Sequence, residues 1–148
     1  MGLDLGMKGD RIPDQHHIAR YCKATQAPGG EIQATAFMLR KEEESLSVNW
    51  LEFLHCSNRI DEITKLRGIY FSKLNRVPTN AKIAVLNVGE VRRKVLTESS
   101  DRRDLAVLHE PEEIDESHSG IYNLKYNEVE IAELILQTIQ EKHLAKRL

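Results

Sequence analysis

Apolar and polar residues change rhythm several times along this chain, and each change marks an element. From Ile32, the residues Ile32, Ala34, Ala36 and Met38 alternate with Gln33, Thr35, Phe37 and Leu39. After a charged stretch at 41–44, Leu46, Val48 and Trp50 alternate with Ser45, Ser47 and Asn49. A period of two sends successive side chains to opposite faces of a sheet. The connection between the two runs is too short for a parallel crossover. An antiparallel hairpin over 31–53 is therefore expected, its second strand carrying Ser45, Ser47 and Asn49 on a polar face.

The rhythm then lengthens. Ile60, Ile63, Leu66, Tyr70, Phe71 and Leu74 recur at three- and four-residue steps, predicting a helix over 58–74 with one buried face. Ser57 or Asn58 is placed to cap it, and Asp61 and Glu62 put negative charge at its positive end. Compact apolar runs at 83–88 and 105–108 have strand length, while 91–96 fits either a strand or a helix. A last helix is expected over 127–147, with Ile131, Leu134 and Ile135 in its stripe and Lys142, Lys146 and Arg147 near its negative end. The segment 14–23 is short and polar, and its periodicity does not separate a helical turn from a strand. Pro28-Gly29-Gly30 marks a turn. Residues 1–13, with three glycines and a closing Pro13, read as a flexible lead-in. Strands, then helix, then strands, then helix gives one α+β domain over 1–148: a mostly antiparallel sheet with two covering helices.

Composition narrows the function classes. The chain has 148 residues, 41% of them apolar, enough for a core. Its formal net charge of -2 lacks the basic excess of a duplex-binding protein. Two cysteines, Cys22 and Cys56, do not make a disulfide scaffold. The first residues lack the apolar run of a signal peptide, and no stretch approaches the ~20 apolar residues of a membrane span. A cytoplasmic protein with no membrane contact is expected. Glycine-rich phosphate loops and the Gly-x-Ser-x-Gly elbow are missing, which disfavours ATPase, kinase, dinucleotide oxidoreductase and serine hydrolase. No zinc-type ligand spacing occurs among the histidines and cysteines, so no metal and no cofactor is expected.

The chemistry-bearing residues gather in three places. Asp14-Gln-His-His-Ile-Ala-Arg-Tyr-Cys-Lys23 offers His17 as a proton carrier and Arg20 and Lys23 as donors to an anion such as phosphate. His109 follows a predicted buried strand, and His118 lies in a Ser-His-Ser-Gly loop where Gly120 lets backbone approach a ligand. Asn49 adds a polar group from the sheet. If the segments converge, His17, His109 and His118 form an acid–base set, and Arg20, Lys23 and Asn49 bind a phosphate-bearing ligand, a nucleotide or single-stranded nucleic acid. The plainer alternative is a solvated edge segment, an acidic surface loop and a core tryptophan at Trp50. The residues alone do not separate binding from turnover.

The blocks His17-Ile-Ala-Arg-Tyr-Cys-Lys23, Leu46-Ser-Val-Asn-Trp-Leu-Glu52 and Ser117-His-Ser-Gly-Ile-Tyr122 together resemble a pattern in small uncharacterised bacterial proteins. The resemblance spans three short blocks and implies no activity. Beside the phosphate-site reading stands a second, in which the domain is a non-catalytic, partner-binding subunit of a larger bacterial assembly.

Overall fold

Polar residues crowd the segment 14–23, yet it supplies an interior strand of the sheet. In the computed structural model, which describes residues 9–147, β1 (His17–Cys22) pairs antiparallel with both β2 (Leu46–Trp50) and β3 (Lys82–Asn87). β4 (Ala106–His109), β5 (His118–Tyr122) and β6 (Glu141–Leu144) complete an all-antiparallel sheet in the order β4-β5-β2-β1-β3-β6. With three α-helices, the fold is α+β with an open sheet.

The sheet separates two apolar layers. On one face, Ala19, Ile83 and Val85 meet Ile63, Leu66 and Tyr70 of α1 (Arg59–Lys73). On the other, Ile18, Val48, Trp50, Leu86 and Ile121 meet α2 (Val88–Glu98) through Val91 and Val95. The same layer takes in α3 (Val129–Leu136) through Ile131 and Ile135, and Phe37 from an irregular segment. Two covering helices were expected; the third is the 91–96 run, where Asn87 caps α2 by accepting from the Glu90 amide at 2.8 Å.

Three boundaries differ from expectation. The hairpin over 31–53 does not form. Its second half is β2, but Ala34–Phe37 is a 3-10 turn packed on α3, and β1 takes the position beside β2. Adjacent Ala36 and Phe37 are both buried, which a turn permits and a half-buried strand does not. The last helix stops at Leu136 instead of running to 147. Gln140 donates to the Val85 carbonyl at 2.8 Å and the chain continues as β6, because pairing satisfies the otherwise open edge of β3. Within α1, Ile60 and Phe71 are exposed, 73% and 80%; they lie roughly 100° around the helix from the sheet-facing Ile63–Leu66–Tyr70 stripe. Asn58, not Ser57, caps that helix, accepting from the Asp61 amide at 2.9 Å.

Of the expected lead-in, residues 1–8 lie outside the described residues. Gly9, Arg11 and Ile12 run along the outer edge of β4, with Gly9 donating to the His109 carbonyl and Ile12 to that of Val107. No helix among the described residues is long and apolar enough to cross a membrane.

Candidate functional site

Strands β1 and β2 share only two paired positions, Ile18 with Trp50 and Ala19 with Asn49, whereas β1 stays paired to β3 along its whole length. Where the β1–β2 ladder stops, the Arg20 side chain takes over its role. Its Nε donates to the Ala36 carbonyl at 2.7 Å and its Nη1 to the Ser47 carbonyl at 2.9 Å. Beside this gap lies a cavity of about 170 Å³. Arg20, Tyr21 and Lys23 line one side, Ser47, Asn49 and His118 the sheet, Tyr70 and Lys73 the helix, and Arg40 and Glu43 the rim.

The floor is a closed hydrogen-bond network. Asn49 Nδ2 donates to both oxygens of Asp115, at 2.8 and 3.1 Å, and to Ser117 Oγ at 2.8 Å; the Tyr70 hydroxyl donates to Asn49 Oδ1 at 2.9 Å. Lys73 closes it by donating to Asp115 at 2.9 Å and Glu112 at 2.8 Å. Burial pulls the Lys73 ammonium pKa down, but these two carboxylates outweigh it and leave it above the ordinary lysine value. Burial, reinforced by Asp115, raises the Tyr70 hydroxyl well above the usual phenol range, so it keeps the proton that it donates to Asn49. Every polar atom here serves a neighbour. Asn49, expected to bind ligand, lines the cavity with both ends of its amide engaged by neighbours.

The walls differ. Arg40 is matched by Glu43 at 3.0 Å, and Lys73 is matched below, but neither Arg20 nor Lys23 makes an ion pair among the described residues. Burial lowers the Arg20 pKa, yet a guanidinium stays protonated in a protein. Two of its five N–H donors are spent on carbonyls, and the rest have no protein acceptor among the described residues. The opening thus carries two positive charges with no direct carboxylate partner, Arg20 being anchored by carbonyls and reached by Glu43 only through space.

His118 sits on the same cavity wall. Its Nδ1 lies 2.9 Å from the Glu110 carbonyl, and because a carbonyl only accepts, Nδ1 carries the hydrogen in the neutral ring. Nε2 is then an acceptor and meets Ser47 Oγ at 3.1 Å. Gly120 pairs with Ser47 in the ladder, and a Cβ there would come within 2.5 Å of Ser45 Oγ and 2.6 Å of Glu110 Oε1. Its missing side chain admits those two protein groups, where close approach to a ligand was expected.

The three histidines do not converge. His109 pairs with Ser119, the neighbour of His118, so the two imidazoles point to opposite faces of the sheet. His109 is fully buried against Trp50 and Phe53; its Nε2 donates to the Glu116 carbonyl at 2.7 Å and its Nδ1 has no partner. His17 shares the face of His118, but Glu52 holds it, accepting from the backbone N–H and bonding Nδ1, both at 2.7 Å. Neither lines the cavity. Trp50 is core, its Nε1 donating to His16 Nδ1 at 3.0 Å. Cys22 is buried, and burial pushes its thiol up to about 11 against the opposing pull of Arg20, so it offers no thiolate at neutral pH.

Sequence reading therefore placed Arg20, Lys23, Asn49 and His118 at one site, and missed Ser47, Tyr70, Lys73 and Asp115. Ser47 had a signal in the polar phase of β2; Tyr70 and Lys73, three apart, share a helix face. Nothing in the sequence near Asp115 distinguishes it from the acids around it. The chain matches no protein-family model, no curated protein and no solved structure.

Proposed function

We propose that this domain binds a phosphate-bearing small molecule, such as a phosphate monoester or the terminal phosphate of a nucleotide, with the phosphate in the cavity beside Arg20. The observation that carries the reading is the Arg20 guanidinium. Backbone carbonyls hold it in place, it has donors to spare, and no carboxylate bonds to it among the described residues, Glu43 acting on it only through space. Such a group presents the planar donor set that phosphate oxygens match. Lys23 adds a second positive charge to the lining. A volume of about 170 Å³ falls below the ~300 Å³ of sites that enclose a drug-sized ligand. The cavity suits the phosphate end, with the rest of the ligand lying over Tyr21 towards solvent.

Calorimetric titration of phenyl phosphate and of a nucleoside monophosphate into the wild-type protein and Arg20→Met tests this reading. Binding by the wild type that Arg20→Met weakens by about 30-fold supports it. Equal heats from both proteins would end it.

A second reading has an observation of its own. Phe71 is 80% exposed beside a mostly apolar groove formed with Gly68, Val77 and Ala145, and Arg67, Lys146 and Arg147 flank it. An acidic segment of a partner protein with one large apolar side chain fits that surface. Fluorescence titration with an acidic, tryptophan-bearing peptide, compared between the wild type and Phe71→Ser, separates specific docking from none.

A further inference from the structure

Ser47 and His118 form a pair that anion binding does not require. The neutral imidazole is locked by the Glu110 carbonyl so that Nε2 faces Ser47 Oγ at 3.1 Å, and the hydroxyl is therefore the donor. A Glu112 carboxylate oxygen lies 3.7 Å from His118 Nδ1, where it would stabilise positive charge if the ring gained a proton. Ser47 is exposed and lines the cavity, and the guanidinium of Arg20 is bonded to its own carbonyl at 2.9 Å. A hydroxyl within reach of a base, a base oriented by a third group, and cationic donors beside the point of attack are the parts of covalent catalysis.

We infer that Ser47 is a nucleophile and His118 its general base and acid, in hydrolysis of phosphate monoesters through a phosphoserine. The inference rests on the phosphate-binding reading and extends it to turnover. Ser47 Oγ attacks phosphorus and forms the new P–O bond, while its proton passes to His118 Nε2. The ester P–O bond breaks, its electron pair leaves on the alcohol oxygen, and His118 returns the proton to that oxygen. Water then attacks the phosphoserine, His118 takes a water proton, and the Ser47–phosphate bond breaks with the pair on Oγ. Oγ recovers the proton, leaving inorganic phosphate and free serine. Arg20 binds the non-bridging oxygens, whose charge grows during transfer. Glu110 and Glu112 are positioning residues, acting through the imidazole.

The test uses the whole chain in three measurements: hydrolysis of p-nitrophenyl phosphate, labelling by a fluorophosphonate followed by mass spectrometry of the peptide containing Ser47, and calorimetric binding of inorganic phosphate. Expected are measurable turnover and stoichiometric label on Ser47, blocked by phosphate. Ser47→Ala and His118→Asn should each lower turnover by about 100-fold or more while phosphate affinity changes less than about threefold. Glu112→Gln should lower kcat with little change in KM, a split that a purely structural role would not give. Phosphate binding without turnover and without label on Ser47 overturns the nucleophile and leaves the binding reading standing. Label that persists in His118→Asn overturns the base. Absence of phosphate binding in the wild type removes both.

Discussion

Arg20 and Arg103 are both largely withdrawn from water, and they are used in opposite ways. Arg103 is 7% exposed and spends its donors on Glu128 at 2.8 and 2.6 Å, on Asp101 at 3.1 and 2.8 Å, and on the Asn123 carbonyl at 2.8 Å. It ties the turn after α2 to the loop before α3. Its pKa is raised by the hydrogen bonds to Glu128, against the cost of burial, and both carboxylates are held below their ordinary values. Arg20 has carbonyl partners only, and its pKa is lowered by burial. A buried charge with matched carboxylates needs nothing further. One anchored by carbonyls, with Glu43 acting only through space, keeps donors that an anion from solution can fill. The difference separates a clamp from a site.

The largest effect on stability is expected at Arg103. Replacing it with Met takes the partner from partly buried Glu128 and leaves the Asn123 carbonyl without its donor, whereas exposed Asp101 is rehydrated; the unfolding free energy should fall by ~2 kcal/mol. Phosphate affinity should stay unchanged. Urea denaturation with calorimetry on the same sample reads both.

Arg20→Met should do the reverse. Loss of charge-assisted hydrogen bonds to the ligand costs ~2 kcal/mol of binding, some 30-fold, whereas stability drops by only about 1 kcal/mol because two carbonyls lose their donor. A stability loss as large as that of Arg103→Met would show that Arg20 is a second clamp. The floor offers an intermediate case. Tyr70→Phe leaves Asn49 Oδ1 without its donor and should cost about 1 kcal/mol of stability, with the cavity's cations intact and phosphate still bound.

The smallest expected effect is in pH. Glu128 and Asp101 have folded-state pKa values below their unfolded values of 4.5 and 3.8, with hydrogen bonds from Arg103 as the first cause. Their contribution is therefore fully present above those unfolded values. It is lost as pH falls through the lower folded ones. Thermal unfolding of the wild type should accordingly soften below about pH 4.5. Arg103→Met should soften less over that range, since its carboxylates have lost the partner that depressed them.

Much of this arrangement was legible before the structure, and the exceptions have physical causes. The helical stripe of α1 and the apolar runs of β3 and β4 could be read because burial there follows a simple period. β1 could not. Only Ile18, Ala19 and Cys22 of its residues are buried, and its polar residues are accommodated by partners far along the chain: Glu52 for His17, and the Ala36 and Ser47 carbonyls for Arg20. The alternation at 31–39 mimicked a strand because alanines suit a tight turn against α3 as readily as a sheet. The charges at 142–147 agreed with a helix dipole, but the free edge of β3 offered more backbone bonds than further helix did. At the site, Arg20 and Lys23 were visible as unusual charges. His109 and His118 looked equivalent because the sequence does not show that the register between β4 and β5 sends them to opposite faces.

Nitrogen–proton correlation NMR of the arginine side chains reads whether the Arg20 guanidinium takes up an anion, as proposed. Titration with inorganic phosphate should shift the Arg20 Nε–H signal together with the amides of Ser47 and His118, saturably, while the Arg103 Nε–H signal stays fixed. If Arg20 and Arg103 move together in proportion to ionic strength, or if neither moves, the cavity is not an anion site.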